Sequence, residues 1–524
     1  MIMPVLITLL GALFRFTNLN WDMGGRLHPD EALIVNGALA IKYFSQLFPG
    51  FHDYNGYSVY LLKTSSLITS FILRSPYWSA SPEGVTLVGR FLSALLATLS
   101  IPLVYALAKR IWNKPVGILA GVLFACTPLL IQLSHFYTTE SILIFLLLLL
   151  LHGAVSYTKK PHIGSCISMA IPMGLLLATK NTAYLFLPIP IGIILITGSR
   201  HRYVFFVSLA LLVLISFFMG SPYSFLDSAG YLTRSRYVAD VVGGRLLMDW
   251  TMQFQDSAPF FWIPNLLFAF GPAAAGIIGA ISMLLLRKTW RKCSVIPVFS
   301  LWTVSYLVFL SVTYLKFIRY SAPLAPFLAL FTAKLVWDIR NTPIGKSIGT
   351  VCVGTQILWA IMFFHIYLIP NPSLTAAIWI ARHVPPHSVI LTETWNSIIR
   401  FDRPPLTTQQ YGFRSFNGYA ADTHDKQLFL ASQLEHSDYV VIESPKVKNT
   451  ISRLRGRYPA THAFYTDLDS GKLGFTKVAE FSSYPQLGPF AVNDTFAEET
   501  WYDFDHPTVT VYKKSVPLSA GQYP

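Results

Sequence analysis

The feature that most constrains this chain is a series of apolar segments, each near the length that crosses a bilayer. A spanning helix needs about 20 mostly apolar residues to cover a hydrocarbon core roughly 30 Å thick. Such segments fall at 3–19, 85–108, 115–133, 138–156, 163–179, 182–198, 203–220, 260–286, 294–313, 319–337 and 347–369. They predict a polytopic α-helical membrane protein with about eleven spans. Only 13% of the residues are charged, against about 25% in ordinary globular chains. The N-terminal Met1-Ile2-Met3-Pro4 lacks a basic start and a small-residue cleavage site, so the first segment is expected to be a retained span and not a signal peptide.

The connections then give an orientation. Alternate loops carry Lys109-Arg110 with Lys114, Lys159-Lys160, Arg200 with Arg202, Arg287-Lys288 with Arg291-Lys292, and Arg340 with Lys346. Short basic loops of this kind stay in the cytoplasm. They account for much of the net charge of +14 without a nucleic-acid partner. The N-terminus is then cytoplasmic, and three polar pieces (20–84, 221–259 and 370–524) lie on the outer face. This predicts a transmembrane domain over 1–369 and an extracytoplasmic domain over 370–524, in a multi-pass protein of the plasma (inner) membrane.

Within 20–84, apolar residues at helical spacing from Glu31 to Phe48, and again from Tyr57 to Leu73, predict two helices lying along the membrane surface. In the tail, a helix over Leu374–His383 should stop before Pro385-Pro386. β-like runs at Val389–Thr392, Tyr439–Glu443, Lys477–Phe481 and Thr508–Tyr512 complete an α/β pattern. Cys126, Cys166, Cys293 and Cys352 all lie in or beside apolar segments, so no disulfide framework holds the tail. No glycine-rich phosphate cradle is present.

The polar groups of the outer face are where chemistry is expected. Leu27-His28-Pro29-Asp30-Glu31 places two adjacent carboxylates just beyond the first span. Pro29 suits the first position of a helix, and carboxylates in the first turn complement its dipole. The same pair could serve as a catalytic base, because sugar transfer to a hydroxyl needs a carboxylate to take the proton and cations to hold a departing phosphate. Candidate cations are Lys316 and Arg319, Lys180 at a span end, and Arg234 and Arg236 in the loop Tyr231–Tyr237. The polar island Ser134–Ser141 offers His135 and Glu140 to an acceptor, or caps the next helix. His28, Asp30, His52 and Asp53 leave a divalent metal possible, without a ligand spacing that supports one. Arg15 and Arg90 are the nearest approach to charges within a span, and both are expected to reach an interface. A lipid or sugar transporter, a flippase, or a non-catalytic envelope-glycan subunit are the alternatives.

Four motifs, in this order, resemble the GT-C glycosyltransferases, and more narrowly the protein O-mannosyltransferase and aminoarabinose-transferase-like group. They are Leu27–Glu31, Ser134–Ser141, Ala178-Thr179-Lys180-Asn181-Thr182, and Phe317-Ile318-Arg319-Tyr320 through Pro323 and Pro326. The resemblance implies inverting transfer from a polyprenyl-phosphate-sugar donor to a lipid, glycan or protein acceptor, with no cofactor required. It implies Asp30 as general base, Glu31 as its support, Arg319 and Lys316 on the carrier phosphate, and Tyr320 beside the acceptor. Residues 370–524 resemble the outer domain of prokaryotic members.

Overall fold

A computed structural model describes residues 2–43, 45–258, 260–286, 295–394, 399 and 410–515. The chain divides into two compact units. One comprises Met1–Asn20, His28–Gly243 and Trp262–Phe364; the other comprises Trp21–Leu27, Gly244–Phe261 and His365–Pro524. The division therefore falls near residue 364 and not at 369. It also draws two short segments of the expected outer loops into the second unit.

The first unit is helical. Among the described residues, seven helices are long and apolar enough to cross a membrane, or eight if the bent pair Lys114–Ala125 and Pro128–Ser134 is one span. Shorter apolar helices lie at Ile2–Phe16, Ile163–Thr179 and Asn181–Thr197. Together these occupy the eleven segments expected from hydropathy. The basic loop at 287–292 lies outside the described residues.

Small residues set the packing, as expected where lipid gives helices no hydrophobic reason to associate. A Cβ on Gly174 would come within 2.5 Å of Ser216 Cβ and Val213 O, and one on Gly276 within 2.4 Å of Leu328 O. The break in the bent pair, 57°, follows from Pro128, which cannot donate to the preceding turn. The carbonyls this frees are recaptured by polar side chains. Arg15 Nη1 donates to Ala125 O at 3.0 Å, and Gln356 Nε2 donates to Cys126 O at 2.7 Å. Arg15 and Arg90 thus do not reach an interface, since both are fully buried. Arg15 serves a broken helix end, and Arg90 serves a carboxylate described below.

The helix expected over 31–48 is shorter, running over Pro29–Ala40. Ile41 turns extended (ψ 126°), which lets Tyr43 Oη reach Thr64 at 2.7 Å on the neighbouring helix Gly56–Ile72. Phe44 lies outside the described residues.

The second unit is α/β. Its main strands are β1 (Val389–Glu393), β2 (Gly412–Phe416), β3 (Tyr439–Ile442) and β4 (Phe475–Phe481). A small hairpin, β5 (Gln486–Leu487) with β6 (Phe490–Ala491), precedes β7 (Val509–Lys514). The sheet order is β2-β1-β3-β7-β4, with β1 parallel to β2 and β3, and β7 antiparallel to β3 and β4. Alternation sends Leu391, Val440 and Ile442 to one core, and Ile390, Val441 and Val511 to the other. Helix Pro372–His383 covers the second face.

Candidate active site

The His28–Glu31 turn is built as a capped helix start. His28 is extended, its Nδ1 accepts from Asp30 N at 3.3 Å, and Pro29 takes the first helical position. Successive helical residues are separated by about 100° of rotation, so Asp30 and Glu31 cannot face the same way. Glu31 turns inward and is fully buried. It accepts from Arg90 Nε at 2.9 Å, Arg90 Nη2 at 2.6 Å and Tyr137 N at 2.8 Å. Arg90 also donates to Leu19 O at 2.9 Å. Glu31 therefore ties the first loop to helix Pro82–Ile111 and to the turn before Glu140. Glu31 is sealed from solvent, so in the structure it braces the turn that carries Asp30.

Asp30 turns the other way, with its side chain 20% exposed. It forms an ion pair with Arg319 and accepts a hydrogen bond from Tyr54. Burial pushes its carboxyl up, but the Arg319 guanidinium, His28 and these hydrogen bonds outweigh that and hold it well below the usual carboxylate range. The Tyr54 phenol is pushed up, by burial and then by Asp30, so it stays a donor.

Arg319 sits in a 3-10 segment, Ile318–Leu324, that starts the late span. Phe317 and Tyr320 flank its guanidinium at 5.3 and 5.9 Å. Its Nη1 is 3.4 Å from His28 Nε2, and its buried Nε has no hydrogen-bond partner. Lys180, at the end of helix Ile163–Thr179, donates to Glu140 Oε1 at 2.9 Å. Its ammonium lies 5.1 Å from the Tyr320 ring and 5.8 Å from that of Tyr54. Arg319, Lys180, Glu140 and Tyr320 form the polar end of a cleft whose other walls include Leu143 and Phe309. Asp30 does not line this cleft; Arg319 stands between the two.

The remaining expected residues lie elsewhere. Lys316 is not on the cleft wall; its Nζ is 3.5 Å from Tyr314 O, and burial pushes its ammonium down. Arg234 and Arg236 are on a helix, Ser228–Val242, and not in a loop. Two residues apart, they face opposite sides. Arg234 pairs with Asp53, while Arg236 is exposed. His135 is buried, with its ring nitrogens 2.8 Å from Ile131 O and 3.0 Å from Thr17 O, so it braces the backbone. The four residues considered for a metal engage other partners: His28 caps the turn beside Asp30. His52 bonds Asp227 at 2.8 Å, Asp53 pairs with Arg234, and Asp30 pairs with Arg319. Among the described residues no group of three or more His, Cys, Asp or Glu converges as a metal site. Tyr54 was missed. It lies in a short polar loop with no periodicity, and only its position in space links it to Asp30.

This arrangement can be set beside known proteins. Residues 83–224 match the family model of the dolichyl-phosphate-mannose-protein mannosyltransferases. That range contains Arg90, Glu140 and Lys180, but neither Asp30 nor Arg319. No curated protein matches the chain. Among solved structures, the chain superposes on the Archaeoglobus fulgidus oligosaccharyltransferase tethered to an acceptor peptide, with a TM-score of 0.52 and 15% identity over 88% of this chain and 71% of the other. The same archaeal enzyme, AglB, in complex with an inhibitory peptide and a dolichol-phosphate, gives 0.51 and 13% over 88% and 71%. The fold is that of the GT-C glycosyltransferases. ArnT from Cupriavidus metallidurans, bound to undecaprenyl phosphate, is a more distant match, with a TM-score of 0.46 and 11% identity over 99% of this chain and 98% of the other. Residues 83–224 are thus similar to the mannosyltransferase family, and the chain shares its fold with the archaeal oligosaccharyltransferase.

Proposed function

We propose that the chain is an inverting glycosyltransferase that moves a sugar from a polyprenyl-phosphate carrier to an acceptor hydroxyl on the outer face of the plasma (inner) membrane. The N-terminus is cytoplasmic on this reading. The observation that carries it is the Asp30–Arg319 pair at the edge of a cleft that also holds Lys180. An ion-paired carboxylate held well below its ordinary range is a weak base, so the resting pair must open. A donor phosphate entering the cleft meets Arg319, whose Nε is unengaged, and Lys180. Arg binds phosphate through its fork and Lys as a point charge. Once Arg319 turns to the phosphate, Asp30 loses its main stabilising charge, and its proton affinity rises.

The transfer step then balances. The acceptor oxygen attacks the anomeric carbon from the side opposite the phosphate, and its proton passes to Asp30. The bond from anomeric carbon to phosphate oxygen breaks, and its electron pair leaves on the carrier phosphate, where Arg319 and Lys180 offset the charge. The step is written with side-chain cations and no cofactor. Glu140 holds Lys180 in place, and Tyr54 orients Asp30. The acceptor is a hydroxyl of a lipid, a glycan or a protein.

Purified protein given synthetic polyprenyl-phosphate sugars of defined anomeric configuration tests this reading. The product's anomeric coupling in an NMR spectrum should report inversion. Retention of configuration, or donor-independent movement of the lipid without transfer, would contradict it.

A further inference from the structure

The second unit carries an apolar fingertip that the proposed chemistry does not use. β5 and β6 pair antiparallel, with Leu487 opposite Phe490. Gly488 takes φ +57°, the left-handed region in which glycine is at ease, and with Pro489 it turns the chain. Val492 N donates to Pro485 O at 2.9 Å across the base, and Gln486 Nε2 donates to Gly488 O at 2.8 Å across the tip. The hairpin is thus well built, yet it turns its apolar side chains outward. Phe490 is 75% exposed and Leu487 45%, with Phe496 at 82% just beyond. No charged residue occurs between Phe481 and Asp494. Exposed apolar groups clustered on an ordered turn mark a contact surface.

The neighbours of the hairpin indicate what covers it. β5 packs against His365–Tyr367, which follow Phe364, the last residue of the final span-length helix, Pro343–Phe364. Three residues of 3-10 helix advance only about 6 Å. The base of the hairpin is therefore held against the residues that directly follow that helix. The next residue, Leu368, is also exposed.

We infer that the hairpin at 485–491 is a membrane-interface anchor, which beds Leu487 and Phe490 among the lipids of the adjacent leaflet. Uncharged aromatic and aliphatic groups favour that zone over water. The inference needs the spans but not sugar transfer, so it stands or falls separately from the proposed function.

The test uses the full-length protein in nanodiscs of phosphatidylethanolamine and phosphatidylglycerol, with the native cysteines replaced by alanine. An environment-sensitive fluorophore is attached in turn at Phe490→Cys, at Leu487→Cys, and at Lys472→Cys, whose native side chain is 73% exposed on the same unit. Lipids bearing a nitroxide near the headgroup should quench the first two labels at least about twofold and leave the third unchanged. Equal exposure of all three labels to a water-soluble quencher would overturn the inference. So would blue-shifted emission at 490 and 487 without lipid quenching, which would mean that protein covers the tip. If Phe490→Cys does not fold, Leu487→Cys carries the same test.

Discussion

Asp30 and Glu31 are neighbours in sequence with opposite fates, and the difference is one step of helical rotation. Asp30 reaches a cation at a cleft, while Glu31 is sealed against Arg90. The pairing of Asp30 has a consequence in pH. Its folded pKa is depressed, so its contribution to stability is present above the unfolded value, about 3.9, and is lost as pH falls through the folded one. The kcat/KM profile of the wild type should show no acid limb from Asp30 above about pH 5. In Arg319→Gln the guanidinium is gone and burial is opposed only by His28 and Tyr54, so the acid limb should move up toward the ordinary carboxylate range, with transfer reduced about 100-fold. Arg319→Lys keeps the charge but loses the fork, and steady-state kinetics should show the donor KM rising about tenfold. Asp30 could be singled out in the sequence because two carboxylates beside a membrane segment are costly. Tyr54 was not, because nothing in its local pattern separates it from the other tyrosines of the chain.

At the scale of elements, the buried Glu31–Arg90 pair connects the first loop to helix Pro82–Ile111, and through Tyr137 to the turn before Glu140. Removing one partner leaves the other charge buried and unpaired, which costs about 3–5 kcal/mol. Glu31→Ala and Arg90→Ala should therefore lower thermal stability in detergent as well as activity. Glu31→Leu combined with Arg90→Leu should recover part of the stability but not the activity, because the loop that carries Asp30 loses its directional tether. Equal loss in the single and double variants would show that the pair is not coupled. The spans were legible because lipid allows few solutions to a 20-residue apolar run. The apolar spacing after Asp30 continues past Ala40, so the sequence alone does not mark the stop at Ile41, beyond which Tyr43 bonds Thr64 of helix Gly56–Ile72. β2 was missed for a related reason: Gly412–Phe416 is an edge strand, half-exposed, with no clean alternation.

At the scale of the whole molecule, helices and sheet segregate into two units with different electrostatic problems. The second unit buries Glu499, whose carboxyl is pushed up to about 8, first by burial, with Asp503 adding to the rise and Thr450 and Lys446 opposing it. A carboxyl with a raised folded pKa gives stability that is full below its unfolded value, about 4.3, and lost as pH rises toward 8. Glu499→Gln should keep the hydrogen bond to Thr450 and remove that loss. Its melting temperature should exceed the wild type's by a few degrees at pH 9 and match it near pH 4. A variant less stable at pH 9 would mean that the ionised form is the one the fold requires.

The central claim, that this fold performs sugar transfer with Asp30 as its base, has a direct measurement. Purified wild type and Asp30→Asn, each shown to be folded, are compared for the rate at which they move a labelled sugar from a polyprenyl-phosphate donor to acceptor. Transfer is expected of the wild type, with a fall of about 10²–10⁴ in the variant and donor binding retained. Transfer at the wild-type rate by Asp30→Asn would contradict it.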